Sequence, residues 1–252
     1  MCTVSWLHNA NGYELFCNRD ELKARPAAWP PRLRELHGVK FIAPIDAQHG
    51  GSWLAVNQFG TTFSLLNRYD ASLPPSAPVS RGLLLYDLLG CVTPSQVEAR
   101  MACLALTSFQ PFTLVVVPLH APARLCQWNG NRLFVEDAPS GPLTSSSFDT
   151  INVIEQRQAH FAALQKNAGQ KTAGAISADL LDRFHRSHEP LAPEAAVCMH
   201  RAEAQTVSFS HLVVTPQRID FRYLPHSPCR ATECDTYCAS LSTSRTLNDN
   251  SF

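Results

Sequence analysis

Residues 1–21 read Met1-Cys2-Thr3-Val4-Ser5-Trp6-Leu7-His8-Asn9-Ala10-Asn11-Gly12-Tyr13-Glu14-Leu15-Phe16-Cys17-Asn18-Arg19-Asp20-Glu21, and this stretch decides the fold. Cys2 to Leu7 alternate in the manner of a half-buried strand, and Tyr13 to Cys17 resume strand composition after Asn11-Gly12, a pair that tolerates positive φ in a tight turn. The two segments predict an antiparallel hairpin. Its second strand returns the polar cluster Asn18-Arg19-Asp20-Glu21 to the neighbourhood of Cys2.

Cys2 gives that hairpin its chemistry. Removal of Met1 leaves a thiol and a free α-amine on one residue, a nucleophile that carries its own base. Reference pKa values of about 7.7–8.0 for the amine and about 8.5 for the thiol let a proton pass between them near neutral pH. With Met1 retained, the nitrogen is an amide and the base is gone. Arg19 is the candidate partner for the thiolate or for a substrate carboxylate, because guanidinium stays charged and donates a planar pair of bonds. Asp20 is the candidate acceptor for the Cys2 ammonium. The plainer reading is a solvated strand end in which Arg19 pairs with Asp20 or Glu21. Arg25 before Pro26 is a lesser candidate, and Arg81, in the first turn of a helix, reads as a solvated side chain.

Working outward, Ser52 to Asn57, a turn at Gln58-Phe59-Gly60 and Thr61 to Asn67 predict a second hairpin within a covered sheet. Gly50-Gly51 is too short for a phosphate loop and suits close strand approach. Leu73 to Pro78 is a proline-rich loop, Ser80 is placed to cap a helix over 81–89, and Thr93-Pro94-Ser95-Gln96 has capping-box spacing for a helix to about Leu106. Phe112 to Val117 reads as a strand buried on both faces, and Ala123–Trp128 with Arg132–Glu136 as a third hairpin. Helices are expected over 150–166, capped by Asp149, and from Ser177 to Arg186; strands over 195–200, 207–214 and 218–224 complete the pattern. Strands early, helices in the middle and strands late suit paired sheets between helical layers. Residues 1–239 read as one domain, and 240–252, rich in Ser, Thr and Asn, as a disordered tail.

With 252 residues, 45% of them hydrophobic, the chain can bury a large core. Twenty-one basic and 21 acidic residues cancel without any Lys/Arg run, so nucleic acid and anionic membrane are not indicated as partners. Small-molecule or lipid-like ligands are. No transmembrane segment of about 18 apolar residues and no signal peptide is read, so the cytoplasm is the expected compartment. Nine cysteines, an odd number, suit reduced thiols.

Met1-Cys2-Thr3-Val4 followed by Asn18-Arg19-Asp20-Glu21, Gly50-Gly51-Ser52-Trp53-Leu54-Ala55-Val56-Asn57, Leu66-Asn67-Arg68 and Ser80-Arg81-Gly82 resembles the NRDE family, also called the transport and Golgi organisation protein 2 family. The resemblance implies an α+β fold, a four-layer αββα sandwich of antiparallel sheets similar to N-terminal nucleophile hydrolases. It also brings associations with haem or lipid handling and with the secretory pathway. Cys198-Met199-His200-Arg201 through Thr206-Val207-Ser208 looks like a hairpin of bacterial members. Related bile-salt and penicillin V hydrolases carry an oxyanion-binding asparagine where this chain has serine in Leu143 to Asp149, and they set arginine and aspartate three residues apart where Arg19 and Asp20 are adjacent.

The candidate catalytic set is Cys2, Arg19, Asp20 and Asn67, the last offering an amide N–H to an oxyanion. The candidate substrate-binding set is Asn18, Glu21, Ser145, Ser146, His200 and Arg201; Cys198 and His200 would share one strand face, and a Cys2–His200 pairing is conceivable against the plainer reading of a locally satisfied histidine. His226, Cys229, Cys234 and Cys238 lack the paired Cys-x2–4-Cys spacing of structural zinc sites, so no metal and no cofactor is called, with haem kept only as a ligand. Two functions remain: a cysteine N-terminal nucleophile hydrolase cleaving a linear amide of a small or acylated molecule, or a non-catalytic carrier holding haem, acyl-CoA or another lipid-like ligand between the two sheets.

Overall fold

Strand β1 (Cys2–Asn9) and strand β2 (Gly12–Leu22) form the predicted antiparallel hairpin, with Cys2 opposite Arg19 and Asn9 opposite Gly12. The computed structural model describes residues 2–69, 78–168, 176–190, 192–231 and 235–244. The tight turn itself is Ala10-Asn11, one position earlier than Asn11-Gly12. Asn9 supplies the reason, accepting from the Asn11 N–H at 2.8 Å as an Asx turn. Gly12 opens β2 at φ +133°, where a Cβ would lie 1.9 Å from the Val214 carbonyl oxygen. Nor does β2 stop at Cys17. It runs through Asn18, Arg19 and Asp20, all buried, because each finds a buried polar partner.

Strands β3 (Trp29–Leu36) and β4 (Val39–Ile45) lie in a region left unassigned by sequence. Then come β5 (Leu54–Asn57) and β6 (Thr62–Asn67), the second expected hairpin. A 3₁₀ turn over Arg81–Leu83 leads into α1 (Leu84–Leu88), shorter than predicted and without a side-chain cap from Ser80. Helix α2 (Pro94–Ala102) begins with the predicted capping box of Thr93 and Gln96. Strands β7 (Phe112–Val117), β8 (Arg124–Trp128), β9 (Leu133–Asp137) and β10 (Leu143–Thr144) precede α3 (Thr150–Ala168) and α4 (Ala178–Arg186), the latter capped by Ser177. Strands β11 (Ala204–Val214), β12 (Arg218–Leu224) and β13 (Tyr237–Ser242) follow.

Two antiparallel sheets result, ordered β10-β1-β2-β11-β12-β13 and β3-β4-β5-β6-β7-β8-β9. Val4, Leu15, Leu54, Val56, Val115, Leu212 and Phe221 pack between them. On the outer face of the second sheet, Phe63, Leu65 and Phe112 meet Leu84, Leu85 and Leu88 of α1 and Val97 and Met101 of α2. On the outer face of the first, Phe16 and Phe209 meet Phe161 of α3 and Leu180, Leu181 and Phe184 of α4. The fold is therefore the α+β, four-layer αββα sandwich. Burying apolar side chains on both faces of each sheet is what makes β7 a continuous apolar run.

Two expectations are corrected. Residues 195–200 form no strand beyond a single bridge from His200 to Gln205, because side chains take the backbone groups a ladder needs. The carbonyls of Ala195 and Ala196 accept from Arg157, and that of Val197 accepts from Asn18. Ser240 to Ser242 are ordered as the end of β13, whose alternate residues Ala239 and Leu241 pack against the inter-sheet core. The remainder of the expected tail from residue 245 lies outside the described residues, as does the loop expected over 73–77. No described helix is long and apolar enough to cross a membrane.

Candidate active site

A cavity of about 360 Å³ opens where the first hairpin ends. Cys2, Arg19, Asp20 and Glu21 line it from the first sheet and Leu65 and Asn67 from the second; Asp46, Gly51 and Trp53 line it from the loop between β4 and β5, and Val79, Arg81 and Gln110 close one side. It lies at the mouth of the sandwich. The space between the sheets expected for a carrier pocket is filled by the apolar core instead.

Register puts Cys2 at the cavity, since an antiparallel pair that starts at Asn9–Gly12 must end with Cys2 facing Arg19. Its carbonyl accepts from the Ser145 N–H at 2.9 Å, and its own nitrogen donates to Ser145 Oγ at 3.1 Å. Beside it lies Cys17. A hydrogen bond from the Cys17 thiol holds the Cys2 thiol below its ordinary pKa against burial, with Arg19 adding to the lowering and Asp20 opposing it. Cys17 is pushed correspondingly upward.

Arg19 is fixed from three sides. Its guanidinium stacks on the Trp53 ring at 4.1 Å, donates to Asp46 Oδ2 at 2.5 Å and lies 3.5 Å from Glu21. Of the plainer sequence alternative, an ion pair with Asp20 or Glu21, only the Glu21 contact forms, and the main partner is Asp46. Arg25 also grips Asp46, at 3.0 and 3.1 Å to its two oxygens. Asp20 turns the other way, accepting from Thr206 Oγ1 at 2.6 Å and lying 3.5 Å from the buried Arg157. Asn67 donates to the Tyr69 hydroxyl at 2.8 Å. Arg81, read as solvated, is a half-buried wall residue that donates to the Pro111 carbonyl at 3.0 Å, and desolvation draws its pKa down.

Cys2, Arg19, Asn67 and Glu21 thus converge on the cavity; Asp20 adjoins it but turns its carboxylate to Arg157, so the Cys2 nitrogen finds Ser145 in place of the expected Asp20, and other candidates do not converge. Asn18 faces α4, donating to the His185 and Val197 carbonyls at 2.9 and 3.0 Å. Ser145 serves the Cys2 nitrogen, and Ser146 bonds Phe148 in its own turn. His200 does not meet Cys2; it contacts Cys198 and Cys229, while Arg201 pairs with Glu203 and stacks on Phe148. Sequence reasoning missed Asp46, Trp53 and Arg157. Trp53 stood in a quoted motif, but neither Asp46 nor Arg157 carries a local pattern that marks it.

A second constellation has the look of chemistry. Ser5 Oγ is 2.8 Å from His185 Nε2, and His185 Nδ1 is 3.1 Å from Asn18 Oδ1. All three residues are at most 1% exposed, so no substrate reaches them. Burial also draws the His185 pKa down to about 3, which keeps the imidazole neutral. The trio is a hydrogen-bonded core network.

A buried thiol at residue 2 opposite an arginine, at a cavity on an αββα sandwich, agrees with the comparisons. Residues 1–243 match the family model described as Transport and Golgi organisation 2. The chain belongs to that family. No curated protein sequence matches it. Among solved structures, this Transport and Golgi organisation 2 chain is similar to an N-acylethanolamine-hydrolyzing acid amidase ortholog of Caenorhabditis elegans, at TM-score 0.58 and 13% identity over 84% of this chain and 92% of that one. Penicillin V acylase of Agrobacterium tumefaciens follows at TM-score 0.52 and 10% identity, covering 89% and 86%. A conjugated bile acid hydrolase of Clostridium perfringens gives TM-score 0.50 and 14% identity, covering 94% and 92%. At such identities the likeness is one of fold, that of the N-terminal nucleophile hydrolases.

Proposed function

We propose that this protein is a cysteine N-terminal nucleophile amidohydrolase that, once Met1 is removed, cleaves a linear C–N bond in a small or acylated amide. The observation that carries the reading is the Cys2 backbone nitrogen, held 3.1 Å from Ser145 Oγ while the Cys2 side chain lines the cavity. Loss of Met1 turns that nitrogen into an amine whose lone pair can take the thiol proton. The thiolate attacks the amide carbonyl, the C–N bond breaks, and the protonated leaving amine departs from a thioester on Cys2. Water then cleaves the thioester, restoring the thiol and releasing a carboxylic acid.

Within this reading Arg19 and Arg81 attract a substrate carboxylate or the thiolate, and Asn67 is the side-chain amide available to the oxyanion. A well-placed oxyanion donor contributes about 3–4 kcal/mol to the rate. Glu21 and Arg25 shape the entrance through their ion pairs.

Intact-mass analysis of purified protein should show loss of Met1, and an activated acyl probe should label Cys2 ahead of the other eight thiols. Retained Met1, or labelling that ignores Cys2, removes the hydrolase. If Cys2→Ala abolished labelling yet bound acyl-CoA or haem as tightly as wild type, the cavity would serve a carrier.

A further inference from the structure

A second group of ligand-type side chains meets outside the Cys2 cavity. His188 follows α4, Cys198 and His200 precede β11, and Cys229 sits in the 3₁₀ turn Pro228–Arg230. One ligand atom from each of the four lies within 4.8 Å of all the others. His200 Nε2 is 3.2 Å from Cys229 Sγ and 3.7 Å from Cys198 Sγ, and the His188 ring stands edge-on to that of His200 with centroids 5.3 Å apart. Zinc with Zn–S of about 2.3 Å and Zn–N of about 2.0–2.1 Å in a tetrahedron sets its ligand atoms roughly 3.3–3.8 Å apart. Small side-chain rotations close the observed group onto those distances.

We propose that His188, Cys198, His200 and Cys229 form a structural zinc site. Two thiolates and two neutral imidazoles balance the charge of one Zn²⁺, and an S₂N₂ tetrahedron is the donor set that selects zinc among common divalent ions. Binding deprotonates both thiols and releases two protons. Four protein ligands close the shell, so the ion staples chain rather than doing chemistry.

The scaffold is already arranged for it. Cys198 N donates to the Ser187 carbonyl at 2.7 Å, Ser227 Oγ to the Thr206 carbonyl at 2.6 Å, and Arg186 to the Pro228 carbonyl at 2.8 Å. These bonds hold all three ligand-bearing segments together without a metal. His188 and Cys229 are exposed, which gives an ion a way in. The staple also lies close to the candidate active site, since Met199 N donates to Thr206 Oγ1 and that hydroxyl donates to Asp20.

The expectation of no metal weighed Cys229 with His226, Cys234 and Cys238 instead. His226 pairs with Asp235 at 3.4 Å, Cys238 stands opposite Arg222 in β13, and Cys234 lies outside the described residues. The ligands come from three separated segments, so no Cys-x2–4-Cys spacing announces them.

The test uses the reduced full-length protein with zinc alone. Elemental analysis after removal of loosely held metal should give one zinc per chain, and stripping by a strong chelator should lower Tm. Cobalt substitution should give thiolate-to-metal charge-transfer absorption with the visible bands of a tetrahedral site. Cys229→Ser and His188→Ala, both at exposed positions, should weaken zinc binding by at least about tenfold. Cys103→Ser and Cys238→Ser, at the other thiols exposed among the described residues, should leave it unchanged. Substoichiometric zinc, a cobalt spectrum without thiolate bands, or equal retention by Cys229→Ser would overturn the site. So would a Cys198–Cys229 disulfide, seen as a mass lower by two hydrogens in protein purified without reductant and with zinc present. The cobalt spectrum is read on unmodified protein, so it decides even if a variant unfolds.

Discussion

Asp20 and Arg157 form an ion pair at 3.5 Å beneath the first hairpin, with side chains 0% and 2% exposed. Arg157 also donates to the hydroxyls of Thr3 and Thr144, each at 2.7 Å, and to the Ala195 and Ala196 carbonyls at 2.9 and 2.8 Å. One guanidinium therefore ties β1, β2, β10 and the 195–196 loop, the elements that seat Cys2. Replacing it by Met removes the cation 3.5 Å from a buried carboxylate and the donor to several acceptors, which costs about 3–5 kcal/mol. Urea unfolding measures this. A loss under about 1 kcal/mol would mean that the pair contributes no more than an exposed one.

Arg19 depends on Asp46, which also braces the loop before Gly51 by accepting from the Gln48 and His49 amides at 3.2 and 3.0 Å. Burial pulls the Asp46 carboxyl upward, but the Arg25 hydrogen bond, the Arg19 charge and the His49 amide together hold it below the usual carboxylate range. A depressed folded pKa contributes stability above the unfolded value of about 3.9, lost as pH falls through the lower folded value. The stability gap between wild type and Asp46→Asn should be full above about pH 5 and shrink toward about pH 3. Urea midpoints across that range check it, and a gap independent of pH contradicts it.

Cys17 tunes Cys2. Because the thiol hydrogen bond is the largest cause lowering the Cys2 pKa, Cys17→Ala should move the pH midpoint of Cys2 alkylation upward. Cys17→Ser keeps a donor and should move it less. Alkylation rates from about pH 6 to 10, read by peptide mass, distinguish the two. An unchanged midpoint in Cys17→Ala removes Cys17 from the account.

Gly51 and Gly82 bring the cavity's two loops into backbone contact, with Ser52 N donating to the Gly82 carbonyl at 3.0 Å. A Cβ on Gly51 would meet the Gly82 carbonyl carbon at 2.5 Å, and one on Gly82 would meet Ser52 N at 2.8 Å. Backbone cannot step aside as a side chain can, so either alanine should destabilise by about 1–3 kcal/mol and part the cavity wall. Gly90→Ala, where a Cβ meets nothing within 4 Å, is the control. Thermal unfolding of the three variants tests the ordering.

What the sequence made legible was local. The Asn-Gly hairpin, the capping box at Thr93, the Ser177 cap and the apolar run of β7 all declare themselves within a few residues. What it hid required distance. Asp46 meets Arg19 across two sheets, Arg157 reaches Asp20 from a helix, and the polar run 18–21 reads as a strand end only because its partners are remote. The 195–200 segment shows the converse, since strand composition yields when Arg157 and Asn18 capture its carbonyls. Convergence of Cys2, Arg19 and Asn67 followed from the hairpin register plus the family resemblance; the turns of Asn18 toward His185 and of Asp20 toward Arg157 followed from neither.

Ser145 stands where the sequence comparison sought an oxyanion donor, and its hydroxyl instead accepts from the Cys2 nitrogen at 3.1 Å. On the proposed function, loss of Met1 makes that acceptor orient the amine, leaving its lone pair toward the thiol. Ser145→Ala should therefore lower kcat by about 10- to 100-fold, as expected for a misdirected general base, with KM little changed. Ser145→Thr keeps the hydroxyl and should recover most of the rate. The pH–rate profile separates this positioning role from a merely structural one: its acidic limb, which reports the amine, should shift in Ser145→Ala. Cys2 acylation by an activated ester at saturating concentration gives the rate even before a natural substrate is known. An acylation rate in Ser145→Ala equal to wild type would mean that the proton leaves the thiol by another route.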